Sequence, residues 1–135
     1  MRNVLVLRNL LSEHDLDEVA WQTWSQPGRA GSDICPLYTA EGGPAGPATA
    51  FLVRFGPDSH GDLHEHTGYE LMFVLRGELR NDNGHRYTTG DLIIEEPDSV
   101  HQVSSVDGCV LLVVREGPTI PVAVPADTAA ATATA

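Results

Sequence analysis

HGDLHEHTGYELMFVLRGE, residues 60–78, places three of the chain's six histidines within seven residues, then Glu70, then an apolar run. Side chains alternate faces along a strand, so His64 and His66 share one face and Glu65 takes the other. Thr67-Gly68-Tyr69 reads as a tight connection, with Gly68 free to adopt a positive φ. Glu70 opens the next strand, and an antiparallel return brings its carboxylate to the face carrying both imidazoles. Two imidazoles and a carboxylate converging from adjacent strands form a facial set suited to Fe(II), Zn(II), Ni(II), Cu(II) or Mn(II). His101, at the start of a later strand behind EEPDSV, offers a fourth ligand. An HxH pair by itself is common on a solvated strand. Glu70, the apolar strand behind it and His101 turn the pair into a candidate metal centre. His60 reads as a loop histidine beside that centre, and His14 and His85 as surface residues in helix-like and turn contexts.

On either side the chain is organised as short apolar runs: Ile34–Tyr38, Thr49–Phe55, Glu70–Arg76, Leu92–Glu95, Val100–Val103 and Cys109–Arg115. Turn clusters separate them, namely EGGPAGP at 41–47, NDNG at 81–84, TTGD at 88–91 and SVDG at 105–108. Many short strands with almost no helix imply an antiparallel sandwich or small barrel. Ser12 to Trp24 is the best helix candidate, with Ser12 as cap, acidic residues in the first turn and Leu16, Val19 and Ala20 at helical spacing. The rival reading of the same stretch is an extended arm carrying Trp21 and Trp24. One domain is expected over 1–118. From Thr119 to residue 135 the Ala/Thr-rich tail, with little large apolar surface, is expected to be disordered or loosely draped.

A net charge of −11, with eight arginines and no lysine, argues against a nucleic-acid partner and against an anionic membrane surface. No apolar run is long enough to span a bilayer, and no basic-then-apolar leader opens the chain, so a cytoplasmic location is expected. Cys35 and Cys109 have no paired-ligand spacing, and Cys109, inside DGCVLLVV, reads as a buried reduced strand residue.

If Glu70 faces inward, Met72 and Val74 share its side and Leu71, Phe73 and Leu75 take the other. Both faces of that strand are then apolar, and the outer one needs cover from the N-terminal arm or a second subunit. Together with the apolar stretch Val4–Leu7, this points to a homodimer. Arg54, between Val53 and Phe55, could recognise a substrate carboxylate or enolate if it points inward, and is a solvated arginine if it does not.

Residues 48–116 resemble the cupin superfamily. His64, His66, Glu70 and Gly77 fit its first motif, G(x5)HxH(x3–4)E(x6)G, and Gly90 and His101 fit its second, G(x5)PxG(x2)H. Asp58, Glu96 and Asp98 stand where the motifs have glycine, proline and glycine, all at turn positions. The runs Phe55-Gly56-Pro57, Phe73-Val74-Leu75 and Asp107-Gly108-Cys109 are similar to the branch containing the ChrR anti-sigma cupin-like domain and the acetylacetone- and dihydroxyacetophenone-cleaving dioxygenases. The resemblance implies an all-β fold, a cupin-type antiparallel β-barrel (double-stranded β-helix or jelly roll). It also implies one metal per chain bound by His64, His66, Glu70 and His101, and often a dimer.

The function then expected is a metal-dependent enzyme acting on a small oxygen-bearing molecule. An Fe(II) dioxygenase cleaving a diketone or hydroxy-ketone leads, with Glu70 as a ligand that can also carry a proton. A zinc or nickel enzyme of isomerisation, cyclisation or dehydration, and a ChrR-like regulatory module, are the alternatives.

Overall fold

The structure, a computed structural model, describes residues 4–123. One helical turn, α1 (Glu13–Asp17), precedes eleven strands: β1 (Gln22–Thr23), β2 (Ala30–Ala40), β3 (Ala48–His60), β4 (His64–His66), β5 (Glu70–Asn81), β6 (Arg86–Thr88), β7 (Leu92–Glu95), β8 (Val100–His101), β9 (Val103–Ser105), β10 (Cys109–Arg115) and β11 (Thr119–Pro121). The larger sheet runs β1-β2-β3-β10-β5-β6, with β7 on β5 and β9 joining β3 to β5. Because β9 bridges the ends of β3 and β5, the ring β3-β10-β5-β9 closes into a barrel. The smaller sheet is β11-β4-β8, and every strand pair is antiparallel. No helix among the described residues is long and apolar enough to cross a membrane.

Alternation sorts the large sheet into two apolar layers. Phe51, Val53 and Phe55 of β3, Met72 and Val74 of β5, and Leu111 and Val113 of β10 fill the barrel interior. Leu52, Leu75 and Val110 point the other way and meet Leu16, Val19, Trp21, Leu7 and Leu10 from the N-terminal arm. Complete burial of a leucine such as Leu52 stabilises the fold by about 2 kcal/mol. The arm therefore covers much of the outer face of β5. It leaves Leu71, Leu92 and Ile94 at 40%, 59% and 58% exposure.

Both readings of Ser12–Trp24 hold in part. The helix lasts one turn, Ser12 makes no side-chain cap, and Gln22–Thr23 is extended because it pairs with Ile34 and Asp33 of β2. Strand pairing wins there over helical spacing, while Leu16 still seals the outer layer at 1% exposure. The expected strand Val100–Val103 divides. His101 pairs in the small sheet and Val103 in the large one, so Gln102 marks the corner between them.

The tail expectation is corrected at its start. Thr119, Ile120 and Pro121 pair with His66, Glu65 and His64 of β4, and Val122 N–H donates to the Leu63 carbonyl at 3.0 Å. A count of apolar area misses this, because the segment is held by backbone hydrogen bonds to a strand edge. Residues 124–135 lie outside the described residues.

Two departures from the cupin motifs are resolved by backbone geometry. Asp58 and Asp98 have φ of 54° and 72°, the left-handed conformation a glycine would adopt at those positions. Aspartate is among the few residues that tolerate it.

Candidate metal centre

β4 contributes His64 and His66 on one face, as its two-residue period requires, and both are buried. β8 is the antiparallel neighbour of β4 and sets His101 directly opposite His64. Glu70 arrives differently from the sequence expectation. β5 does not pair with β4. Residues 67–69 cross from the small sheet to the large one, and Glu70 faces the histidines from the opposite wall. Gly68 does not take a positive φ; a Cβ there would lie 3.1 Å from Glu116 Cβ, so the position demands little volume.

The ligating atoms of the three imidazoles lie within 4.8 Å of one another, and the ring centroids are 4.7–4.9 Å apart. Each Nδ1 is engaged on the outer side. His64 Nδ1–H donates to the Asp62 carbonyl at 2.8 Å. Ser99 Oγ–H is committed to the Glu96 carbonyl at 2.6 Å, so Ser99 Oγ accepts from His66 Nδ1–H at 2.9 Å. His101 Nδ1–H faces Asn81 Oδ1 at 3.1 Å and Glu95 Oε1 at 3.2 Å. With the proton on Nδ1 in all three rings, the Nε2 lone pairs converge.

That convergence is a group able to hold a metal ion. His64 Nε2 and His101 Nε2 stand 3.1 Å apart, and with both Nδ1 atoms protonated they face each other as lone pairs. His66 Nε2 is buried without a hydrogen-bond partner and lies 3.4 Å from Glu70 Oε2. Three imidazoles whose Nδ1 sides are engaged outward, beside a carboxylate, suit a divalent transition metal, and outer oxygen partners of this kind are what fix a metal-binding histidine's ring.

Glu70 sits against this set rather than wholly within it. Its Oε2 accepts from Arg115 Nε–H at 2.5 Å, across the β5–β10 register that aligns the two residues. Burial disfavours its charge, but Arg115 and His66 outweigh burial and hold the carboxyl at about 2. Asp62 behaves alike. Burial is opposed by its hydrogen bond to His64 and by Arg29, and the carboxyl stays at about 2. The hydrogen bond to His101 likewise lowers Glu95.

Of the sequence candidates, the structure brings His64, His66 and His101 together with Glu70 beside them. It does not bring Arg54. By alternation with Val53 and Phe55, Arg54 points out of the barrel, where it pairs with Asp33 at 2.9 Å and lies 4.7 Å from the Trp21 ring centre. The inward arginines are Arg29 and Arg115, and both line the interior cavity of about 20 Å³ beside His64, Glu70 and His101. The sequence reading did not single out Arg115; its parity with Leu111 and Val113 on β10 is the signal that places it on the inner face. Nothing in the local sequence around Arg29 signalled its place. A wider outer groove of about 960 Å³ shares Trp24, Arg29 and Phe55 with the cavity as a common wall.

Comparison with known proteins agrees with this fold. The solved structures similar to the chain include one from the Rhodobacter sphaeroides complex of SigE with the anti-sigma ChrR, at 27% identity and TM-score 0.60, covering 74% of this chain and 50% of that one. They include the polyketide cyclase RemF of Streptomyces resistomycificus, at 18% identity and TM-score 0.68, covering 87% and 89%. A putative acetylacetone dioxygenase of Methylibium petroleiphilum PM1 matches at 16% identity and TM-score 0.68, covering 84% and 80%. The chain thus spans half the length of the matched chain from the ChrR complex. No curated protein sequence matches. Residues 13–119, from α1 through the first residue of β11, match the model of the ChrR cupin-like domain, and the chain belongs to that cupin family.

Proposed function

We propose that the chain is a metal-dependent enzyme acting on a small organic molecule with neighbouring oxygens. One divalent ion is held by His64, His66 and His101, with Glu70 as fourth ligand. The observation that carries this reading is the buried convergence of three Nε2 atoms, one of them without a partner, beside an ionised carboxylate. Fe(II) is the ion favoured, with Zn(II) or Ni(II) next, and the fold likeness to a putative acetylacetone dioxygenase supports cleavage of a β-diketone or hydroxy-ketone. An ion held here supplies Lewis acidity and, if it is iron, a means of engaging O₂.

The chain's own groups do the rest. Asp62, Ser99, Asn81 and Glu95 fix the three rings. Arg115 occupies Glu70 Oε2 and leaves Oε1 to carry a substrate proton. Phe51, Met72 and Val113 form an apolar wall that excludes water. The exposed outer residues Leu71, Leu92 and Ile94 support a homodimer, which light scattering would reveal as twice the chain mass.

A second reading, a zinc or nickel enzyme of non-redox cyclisation, isomerisation or dehydration, draws on the likeness to RemF over 89% of that chain. A regulatory, ligand-binding role draws on the ChrR family match. Fe(II)-loaded protein mixed anaerobically with acetylacetone and related hydroxy-ketones should change its visible spectrum and consume O₂ on aeration. Neither response across the panel would remove the oxygenase reading and leave the other two.

A further inference from the structure

The wall between the outer groove and the metal cavity carries an unused donor. Arg29 lies just before β2, its side chain 3% exposed, with its guanidinium carbon 3.7 Å from the Trp24 ring centre. Nη1 donates to Ser32 Oγ at 3.3 Å and Nη2 to Asp62 Oδ1 at 3.2 Å. Its Nε, and Oδ2 of Asp62, are buried with no partner. A buried N–H without a partner is costly, and a molecule that reaches it gains a hydrogen bond there.

Two features indicate what that is. Arg29 lines the small cavity of about 20 Å³ together with His64, Glu70 and His101, and it lines the outer groove as well. The charges also do not balance once an ion is present. Arg29, Arg115 and a divalent cation outweigh Asp62, Glu70 and Glu95 by one positive charge.

We propose that Arg29 anchors the substrate of the metal centre through its Nε–H, and that the anchored group is an anionic oxygen, a carboxylate or an enolate. This deepens the metal-enzyme reading and rests on it. A 2-oxo-carboxylate satisfies both requirements, offering two adjacent oxygens to the ion and negative charge to the guanidinium.

The test is calorimetric titration of Zn(II)-loaded full-length protein with pyruvate and with 2,3-butanedione, a neutral counterpart with two adjacent oxygens. Pyruvate should bind more tightly to the wild type. Arg29→Gln should weaken pyruvate by at least about ten-fold, the worth of one charge-assisted hydrogen bond, and leave butanedione nearly unchanged. Arg29→Lys keeps a cation beside Asp62 but lacks the Nε–H; it should fold if the Gln variant does not, and should also lose affinity for pyruvate. Unchanged pyruvate binding in the variants, equal losses for both probes, or no pyruvate preference in the wild type would overturn the assignment. Zinc content separates the two levels of inference. Zinc bound normally with pyruvate indifferent to Arg29 removes only the anchor, whereas a wild type that binds no zinc or other divalent ion removes the metal reading itself.

Discussion

Arg115→Met tests how the carboxylate at the centre is held. Glu70 Oε2 lies 2.5 Å from Arg115 Nε, and the two side chains are 3% and 14% exposed. Methionine keeps much of the arginine's apolar stem and removes the charge, leaving a buried carboxylate whose nearest cationic neighbour is His66. Breaking a buried pair by deleting one partner costs about 3–5 kcal/mol. For a chain of this size that corresponds to a fall in melting temperature of roughly 10–20 °C in metal-free protein. Two further outcomes follow from Oε2 being shared. Added divalent metal should raise the melting temperature of the variant more than that of the wild type, because the ion replaces the missing partner. Adding Glu70→Gln to Arg115→Met should recover at least half of the loss, since no buried charge then remains unpaired. The measurement is differential scanning calorimetry with and without metal. A metal-free Arg115→Met protein that melts within about 2 °C of wild type would refute the reasoning, because that is the scale of an ordinary surface change.

Acid should act on two levels. Asp62 and Glu70 are held at about 2, below their unfolded values of 3.8 and 4.5. The stability they contribute is present above those values and is lost as pH falls towards 2, which an acid titration followed by circular dichroism checks. His66 behaves oppositely in metal-free protein. Burial opposes its charge, but Glu70 raises it above 6.5, so metal-free stability should fall as pH rises through that raised value while stabilisation by added metal grows. Gly77→Ala should cost about 3–5 kcal/mol, because at φ 84° its Cβ would sit 2.2 Å from the Gly108 carbonyl oxygen. Gly90→Ala, at φ 92° with nothing within 4 Å, should cost only about 1–2 kcal/mol; equal losses in urea unfolding would contradict the contact reasoning. Ending the chain after Pro118 removes β11 from β4 and should both lower the melting temperature by several degrees and weaken metal binding at His64 and His66. Unchanged values of both would show that β11 is dispensable.

The candidate ligand nitrogens are legible because strand alternation fixes His64 and His66 on one face regardless of the surrounding fold. His101 was legible only through a motif interval. Its position opposite His64 depends on the β4–β8 pairing, which no local signal announces. The route of Glu70 is not legible, because a short Gly-containing link suits a hairpin and a sheet-to-sheet crossing alike. Arg54 and Arg115 show the limit most directly. Both sit on apolar strands, but only parity against Phe51, Val53 and Leu111 sends one outward and the other inward. Arg29 was invisible, since its burial comes from stacking on Trp24 and pairing with Asp62, residues near and far along the chain. β11 escaped because backbone pairing leaves no mark on side-chain composition.

The most direct test of the centre is elemental analysis of protein equilibrated with a small excess of Fe(II) or Zn(II) and freed of unbound ion. Wild type should retain one ion per chain, and His64→Ala, His66→Ala and His101→Ala should each lose it while keeping the β-rich circular dichroism spectrum. A folded wild type that retains none, or a folded triple-alanine variant that retains a full equivalent, would contradict a metal centre at these three histidines.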